Sequence, residues 1–272
     1  MLRVVFFDAA GTLIHTREPA GLSYAKIAER FGARVDERQV IDSFRRTFAA
    51  APGLAFGPGH DAARLRELEH EWWRRLVWAT FEGLADFPDF DAYFDALFAF
   101  FADPANWVSD PEASLLLAAL RHSGIEIGVI SNFDYRIYAI LDHLRLTRYL
   151  ETITISSEAG YAKPAPEIFQ IALERHGLSA AEALHVGDVE ALDVVGARAA
   201  GIAAILIEPD AVALEAVESE AVCQDSTAPA AAVEQRPPQF PQRPEPGSCG
   251  ERCIRVRTLS EAAIALGRFQ FS

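Results

Sequence analysis

The sequence predicts an α/β fold, in which helices cover a doubly wound parallel sheet and a helical module is inserted after the first strand. Short apolar runs alternate with helical patterns at the start of the chain and again after residue 110, as expected of βαβ units. Between them, residues 15–107 are aromatic-rich and show helical rather than strand periodicity. A chain of 272 residues can form one substantial core and a smaller accessory domain.

The first predicted strand is the apolar run of residues 4–7, which leads directly into Asp8. A turn of small residues follows at positions 9–12. The run is typical of a buried parallel strand, and ligands bind at the carboxyl edge of such sheets. We therefore expect the Asp8 carboxylate to lie at a ligand-binding edge.

The inserted module, residues 15–107, is predicted to be nearly all helical. Its helical patterns end at Gly32 and then cover residues 37–48, 62–81 and 90–101. Two prolines and three glycines in residues 51–59 predict a loop.

From residue 108 onwards, strand and helix patterns alternate, so residues 1–14 and 108–272 are predicted to form one core domain. Apolar runs predict strands at 126–130, 152–155, 183–186, 203–207 and 254–256. The predicted helices cover 110–122, 135–144, 166–176, 192–200 and 260–266. Residues 209–253 are rich in proline and alanine, which is typical of a disordered insertion.

Composition limits the partners and the location. The net charge of −14 argues against nucleic acid and against an anionic membrane surface. No run is long enough for a membrane span, and the apolar start is too short for a signal peptide. All three cysteines (Cys223, Cys249 and Cys253) come late in the chain, and Cys249 and Cys253 are expected to be spare thiols in a loop rather than a zinc site. These features predict a cytoplasmic protein.

Four polar clusters follow predicted strands and should meet at one edge of the sheet. They are Asp8, the pair Ser131-Asn132, the loop with Lys163, and Asp188 with Asp193. Two converging acids need a cation to offset their repulsion, and oxygen ligands suit Mg²⁺. The point charge of a lysine can neutralise a phosphoryl group, and a serine can donate to its oxygens.

These clusters resemble the motifs of the haloacid dehalogenase superfamily, whose members are mostly phosphatases. Residues 8–12 match its D-x-D-G-T motif except at Ala10, and residues 187–193 match G-D-x-x-x-x-D. Ser131 and Lys163 match the two motifs between them. The resemblance implies a Rossmann-like core and identifies residues 15–107 as a helical cap. Residues 8–12 and 72–75 together resemble the branch named after a rhythmically expressed fly gene.

The resemblance also implies roles for individual residues. Asp8 would be the nucleophile that forms an aspartyl-phosphate, with Ser131 and Lys163 as its catalytic partners. Thr12 and Asn132 would contact substrate, although Asn132 could equally cap the helix after it. The Mg²⁺ ligands would be Asp8, the backbone carbonyl of Ala10 and Asp188, with Asp193 in support. The implied substrate is a small-molecule phosphate ester.

Ala10 stands where phosphatases of the family carry a second aspartate, which protonates the leaving group and later activates water. Such general acid–base catalysis contributes roughly 10² to 10⁴-fold. The first hypothesis is therefore a weak or atypical Mg²⁺-dependent phosphatase, acting on esters whose leaving groups need no proton.

Three alternatives remain open on the sequence. A dehalogenase also needs no leaving-group proton, but family dehalogenases lack the acid found here as Asp188. A phosphonate hydrolase would use a cap lysine, and Lys26 is the only one in residues 15–107. A binding or regulatory protein would use the Trp72-Trp73 pair as an interface, although packing within the cap also explains that pair. We further expect His185 to be a hydrogen-bonded core residue, and Arg136 and Arg198 to be exposed.

Overall fold

The computed structural model describes residues 1–208 and 253–270. The predicted disordered insertion, residues 209–253, lies outside the described residues except for Cys253. Cys253 is disulfide-bonded, so the expectation of a spare thiol at this position is wrong, because composition does not reveal which cysteines meet.

Eight strands are described in residues 1–208 and 253–270, and most of their bounds match the sequence patterns. In chain order they are β1 (Val4–Phe7), β2 (Ile14–Thr16), β3 (Trp107–Ser109), β4 (Glu126–Ser131), β5 (Thr152–Ile155), β6 (Ala183–Gly187), β7 (Ala203–Ile207) and β8 (Cys253–Val256). Six of them form a sheet in the order β5-β4-β1-β6-β7-β8, and all of its pairings are parallel. The predicted doubly wound α/β class is confirmed.

β1 lies at the centre of this sheet. Val5 is in register with Ile127 of β4 on one side and with Leu184 of β6 on the other. All four residues of β1 are completely buried, since alternate side chains enter different hydrophobic layers on the two faces. The strand that carries Asp8 at its carboxyl end is therefore held on both edges and both faces.

The described helices surround the sheet or form the inserted module. They are α1 (Ala20–Arg30), α2 (Glu37–Ala50), α3 (Ala62–Phe81), α4 (Phe90–Ala102), α5 (Ala113–His122), α6 (Arg136–His143), α7 (Ser156–Ala159), α8 (Pro166–His176), α9 (Val195–Ala199) and α10 (Leu259–Gln270). The one-turn α7 was not predicted. A π-helical turn at Glu190–Val194 replaces the start of the helix that was expected over 192–200.

Helices α1–α4, which we call the four-helix insert, pack around their own aromatic cluster. Tyr24, Phe81 and Tyr93 are buried at its centre. Aspartates at positions 36, 61 and 89 cap α2, α3 and α4 by accepting backbone N–H groups. The insert leaves and rejoins the sheet domain through the antiparallel pair β2–β3. That pair was missed because each strand has only three residues.

No helix in residues 1–208 or 253–270 is long and apolar enough to cross a membrane.

Candidate active site

Asp8 lies at the carboxyl end of the central strand β1 and is only 6% exposed. Its backbone N–H donates to the carbonyl of Val186 in β6, which fixes its position beside that strand. Its Oδ1 accepts hydrogen bonds from Lys163 Nζ at 2.6 Å and from Ser131 Oγ at 3.1 Å. The structure therefore brings together the three residues that the sequence singled out as catalytic.

Lys163 bridges two carboxylates. Its ammonium group also donates to Asp193 Oδ1 at 2.6 Å. His185 Nε2 lies 2.9 Å from the same oxygen, and the backbone N–H of Val189 donates to Asp193 Oδ2. His185 is fully buried, so the prediction of a hydrogen-bonded core histidine is confirmed. Asp193 is thereby fixed as the partner of the lysine.

The side chain of Asn132 does not cap the following helix. Both the oxygen and the nitrogen of its amide group bond to the backbone of Lys163. Its Oδ1 accepts from the backbone N–H of Lys163 at 2.7 Å, and its Nδ2 donates to the Lys163 carbonyl at 3.0 Å. This two-way bond joins the end of β4 to the loop that carries the lysine. In the structure Asn132 holds Lys163 in place.

Asp188 approaches the turn after β1 from the end of β6. Thr12, which is buried, donates through Oγ1 to Asp188 Oδ1 at 3.3 Å. Gly11 has φ +99°, and a Cβ atom there would overlap the Asp188 carboxylate. Glycine is therefore required at position 11 both for its backbone conformation and for the close approach of Asp188.

The charges at this edge do not balance. Three carboxylates (Asp8, Asp188 and Asp193) share the single ammonium group of Lys163. Burial, followed by Asp8 and Asp193, raises the pKa of Asp188 to about 7. Burial also raises the pKa of Asp8, with Lys163 acting in the opposite direction. Burial is thus the main reason that these carboxyl groups resist ionisation, and the neighbouring carboxylates add to the effect on Asp188.

Lys163 and Asp193 each favour the charged form of the other. Burial alone would lower the pKa of Lys163, but Asp8 and Asp193 outweigh it and raise that pKa. Burial opposes ionisation of Asp193, but Lys163 and His185 outweigh it and lower the Asp193 pKa. Lys163 is thus a fixed positive charge beside Asp8.

The residues beside Asp8 open into a cavity of about 340 Å³ between the sheet domain and the four-helix insert. Ala10 is exposed and lines this cavity together with Gly11 and Asn132. Most of the remaining lining is aromatic and comes from both parts of the protein. Ala10 therefore forms part of the wall of this cavity.

Arg136 is buried, and the expectation that it lies on the surface is wrong. It is 5% exposed, and its guanidinium donates to both oxygens of Asp134, at 2.9 and 2.6 Å. Trp73 Nε1 donates to Asp134 Oδ2 at 2.6 Å, and Arg136 lies over the rings of Trp73 and Phe98. Sequence reasoning missed this connection because Trp73 and Asp134 are 61 residues apart. Arg198 is exposed, as predicted.

The fold and the site define an α/β protein in which buried carboxylates and one lysine meet at the carboxyl edge of a parallel sheet. A family model for haloacid dehalogenase-like hydrolases matches residues 2–201. The chain belongs to this family of hydrolases.

Individual relatives agree with the family model. The chain is 32% identical over 213 residues to haloacid dehalogenase-like hydrolase domain-containing protein 3 of Mus musculus, covering 76% of this chain and 82% of the relative. It is 31% identical over 209 residues to the rhythmically expressed gene 2 protein of Drosophila melanogaster, covering 73% and 80%. The predicted branch of the family is confirmed. A shorter match is 36% identical over 100 residues to ribulose-1,5-bisphosphate 5-phosphatase of Halopiger xanaduensis, covering 36% of this chain and 42% of that relative.

Solved structures share the fold. L-2-haloacid dehalogenase from Xanthobacter autotrophicus superposes with a TM-score of 0.64 at 21% identity, over 98% of this chain and 99% of that one. The putative hydrolase YfnB from Bacillus subtilis, bound to magnesium, superposes with a TM-score of 0.62 at 19% identity, over 77% and 90%. At these identities the likeness establishes the fold.

Proposed function

We propose that the protein is an atypical Mg²⁺-dependent phosphatase that acts through an aspartyl-phosphate on Asp8. The observation that carries this proposal is the arrangement around Asp8 Oδ1, where Lys163 and Ser131 both donate. A buried carboxylate held by a fixed ammonium group and a hydroxyl is oriented as a nucleophile. Residues 1–14 and 108–272 would form the catalytic core, and residues 15–107 its helical cap.

The donor atoms present fit Mg²⁺. Asp8, Asp188 and the backbone carbonyl of Ala10 would hold the ion, and Asp193 would support the site through its bond to Lys163. Within the described ranges, no group of three or more His, Cys, Asp or Glu side chains could hold a metal by itself. Two carboxylates, a carbonyl and retained waters are nevertheless a usual set of Mg²⁺ ligands. The bound ion would offset the excess negative charge between Asp8 and an incoming phosphoryl group.

The first half of the reaction uses residues already in place. A carboxylate oxygen of Asp8 forms a bond to phosphorus, and the bond from phosphorus to the leaving oxygen breaks with its electron pair on that oxygen. Lys163 and Ser131, together with backbone N–H groups, stabilise the charge on the equatorial phosphoryl oxygens. Water then attacks the aspartyl-phosphate, which releases inorganic phosphate and restores Asp8.

Ala10 restricts both halves of this reaction. Its methyl group cannot give a proton to the leaving oxygen, and it cannot take one from the attacking water. An alkoxide leaves slowly without a proton, whereas the anions of more acidic leaving groups depart unaided. The proposed activity is therefore directed to aryl or acyl phosphates, with slow hydrolysis of the aspartyl-phosphate.

Contacts of this chain argue against two of the alternatives. Lys26 Nζ is ion-paired with Glu18 at 2.9 Å on the exposed side of α1, and Lys26 does not line the cavity where a Schiff-base lysine would have to meet the substrate. Trp72 Nε1 donates to the carbonyl of Pro52, and Trp73 packs against the sheet domain through Asp134. Both tryptophans therefore make hydrogen bonds within the molecule, which argues against a role as an interface for a partner. Asp188 argues against a dehalogenase, because dehalogenases of the family lack an acid at this position.

The test is a panel of acetyl, aryl, alkyl and sugar phosphates together with a 2-haloacid, assayed with Mg²⁺ and with a chelator. We expect Mg²⁺-dependent release of phosphate from acetyl and aryl phosphates. Asp8→Asn keeps the shape of the side chain but removes the nucleophile, and should lower that rate by at least about a thousandfold. Halide release from the haloacid, or turnover that survives Asp8→Asn, would overturn the proposal.

A further inference from the structure

We infer that the cavity above Ala10 is a binding site for a planar aromatic leaving group, so that the substrate is an aryl phosphate. This inference rests on the proposed phosphatase function and names its substrate class. The lining of the cavity includes Ala10 and Gly11 of the turn that follows Asp8, and the cavity has a volume of about 340 Å³. This lies within the range of small-molecule pockets.

The walls of the cavity are suited to a ring. Phe44, Phe48 and Trp73 come from the four-helix insert, while Trp107 and Phe133 come from residues outside it. Neighbouring rings stand at distances and angles that aromatic groups prefer, such as 6.2 Å between Phe48 and Trp73 and 5.7 Å between Trp107 and Phe133. A flat aromatic group entering the cavity would continue this packing.

Two polar side chains of the lining, Arg136 and Asn132, are already hydrogen-bonded within the protein. The Arg136 guanidinium is paired with both oxygens of Asp134. The Asn132 amide is bonded to the backbone of Lys163 on both sides. His15 lies 3.6 Å from Asp110. A sugar would lose hydrogen bonds to water in such a cavity and regain few, whereas a ring loses none.

The cavity and the missing acid favour the same substrate. A phenol has a pKa of about 10, as in tyrosine, whereas an alkyl alcohol is nearly as weak an acid as water, at about 15.7. A phenolate can therefore leave without the proton that Ala10 cannot provide. Ala10, which stands in place of the general acid, also forms part of the surface that would receive the ring.

The experiment compares 2-naphthyl phosphate with acetyl phosphate, because neither needs a proton to leave and only the first has a ring. Phe48 is 46% exposed at the edge of the cavity, so Phe48→Ala should fold. Ala20→Leu, which narrows the cavity from the start of α1, is a second variant. The matched control is Trp78→Ala, since Trp78 is a 57% exposed aromatic residue of the insert that does not line this cavity.

For each protein we would measure kcat/KM for both substrates, and also the binding of 2-naphthol by quenching of tryptophan fluorescence. The ratio of kcat/KM for naphthyl over acetyl phosphate should fall about tenfold in Phe48→Ala and in Ala20→Leu, and stay unchanged in Trp78→Ala. Both cavity variants should weaken naphthol binding by a similar factor.

The two proposals fail in different ways. If acetyl phosphate is hydrolysed but the ratio is the same in every variant and naphthol does not bind, the aromatic site is wrong and the phosphatase stands. If neither ester is hydrolysed, the phosphatase is wrong, and the naphthol titration alone decides on the cavity. Naphthol binding that weakens in the cavity variants would then support the aromatic site, and the absence of binding would overturn it.

Discussion

Asp134 joins the four-helix insert to the sheet domain, and its removal should be among the most damaging single changes in the protein. The side chain is completely buried. It accepts two hydrogen bonds from the Arg136 guanidinium and one from Trp73 Nε1. In Asp134→Ala, Arg136 loses its counter-ion although it is only 5% exposed. Breaking a buried pair in this way costs about 3–5 kcal/mol.

The assay is urea unfolding monitored by tryptophan fluorescence and circular dichroism. The control is Asp91→Ala, which breaks the exposed Arg74–Asp91 pair at a similar distance of 2.6 Å. An exposed pair contributes less than about 1 kcal/mol. The double variant Asp134→Leu/Arg136→Met should recover much of the lost stability, because it removes both charges together. A loss for Asp134→Ala no larger than that for Asp91→Ala would refute the reasoning.

Three further predictions follow from single residues. Ala10→Asp should raise kcat/KM for an alkyl phosphate by roughly 10² or more, and an unchanged rate would show that the missing acid is not the limitation. Gly11→Ala, which pushes a Cβ into Asp188, should weaken both activity and Mg²⁺ binding, as measured by calorimetry. Gly83→Ala has a similar positive φ but no heavy atom within 4 Å of its Cβ, so it should leave both unchanged. Burial raises the pKa of Glu69 to about 7, so the folded state holds this proton more tightly than the unfolded chain, whose value is near 4.5. The free energy of unfolding should therefore fall as the pH rises from about 5 to 7, and Glu69→Gln should remove about 2–3 kcal/mol of that fall. Parallel pH profiles for the two proteins would contradict the assignment.

The central strand and its aspartate could be predicted because local pattern and a general rule agree. An uninterrupted apolar run specifies a strand buried on both faces, and the carboxyl ends of parallel strands meet at one edge. The convergence of Ser131 and Lys163 on Asp8 follows from the same rule. The distances from Asp8 to these side chains depend on the register of β1 with β4 and β6, which no sequence pattern reveals.

The errors concern residues whose partners are remote in sequence. An arginine at the start of a helix is usually exposed, and only contacts with Asp134, Trp73 and Phe98 make Arg136 a buried residue. Asn132 lies 31 residues before the lysine whose backbone it holds. The aromatic cavity needs rings from both the insert and the sheet domain, so no single segment of the sequence indicates it.

The most direct test of the proposed mechanism is to look for the phosphoryl group on Asp8. The protein is mixed with acetyl phosphate and Mg²⁺, quenched in acid during steady turnover, digested, and mapped by mass spectrometry. We predict a phosphorylated peptide with the modification on Asp8. Its occupancy should be higher than in Ala10→Asp, because that variant regains a carboxylate that can activate water. Turnover without any label on Asp8, or a label on another residue, would contradict the account.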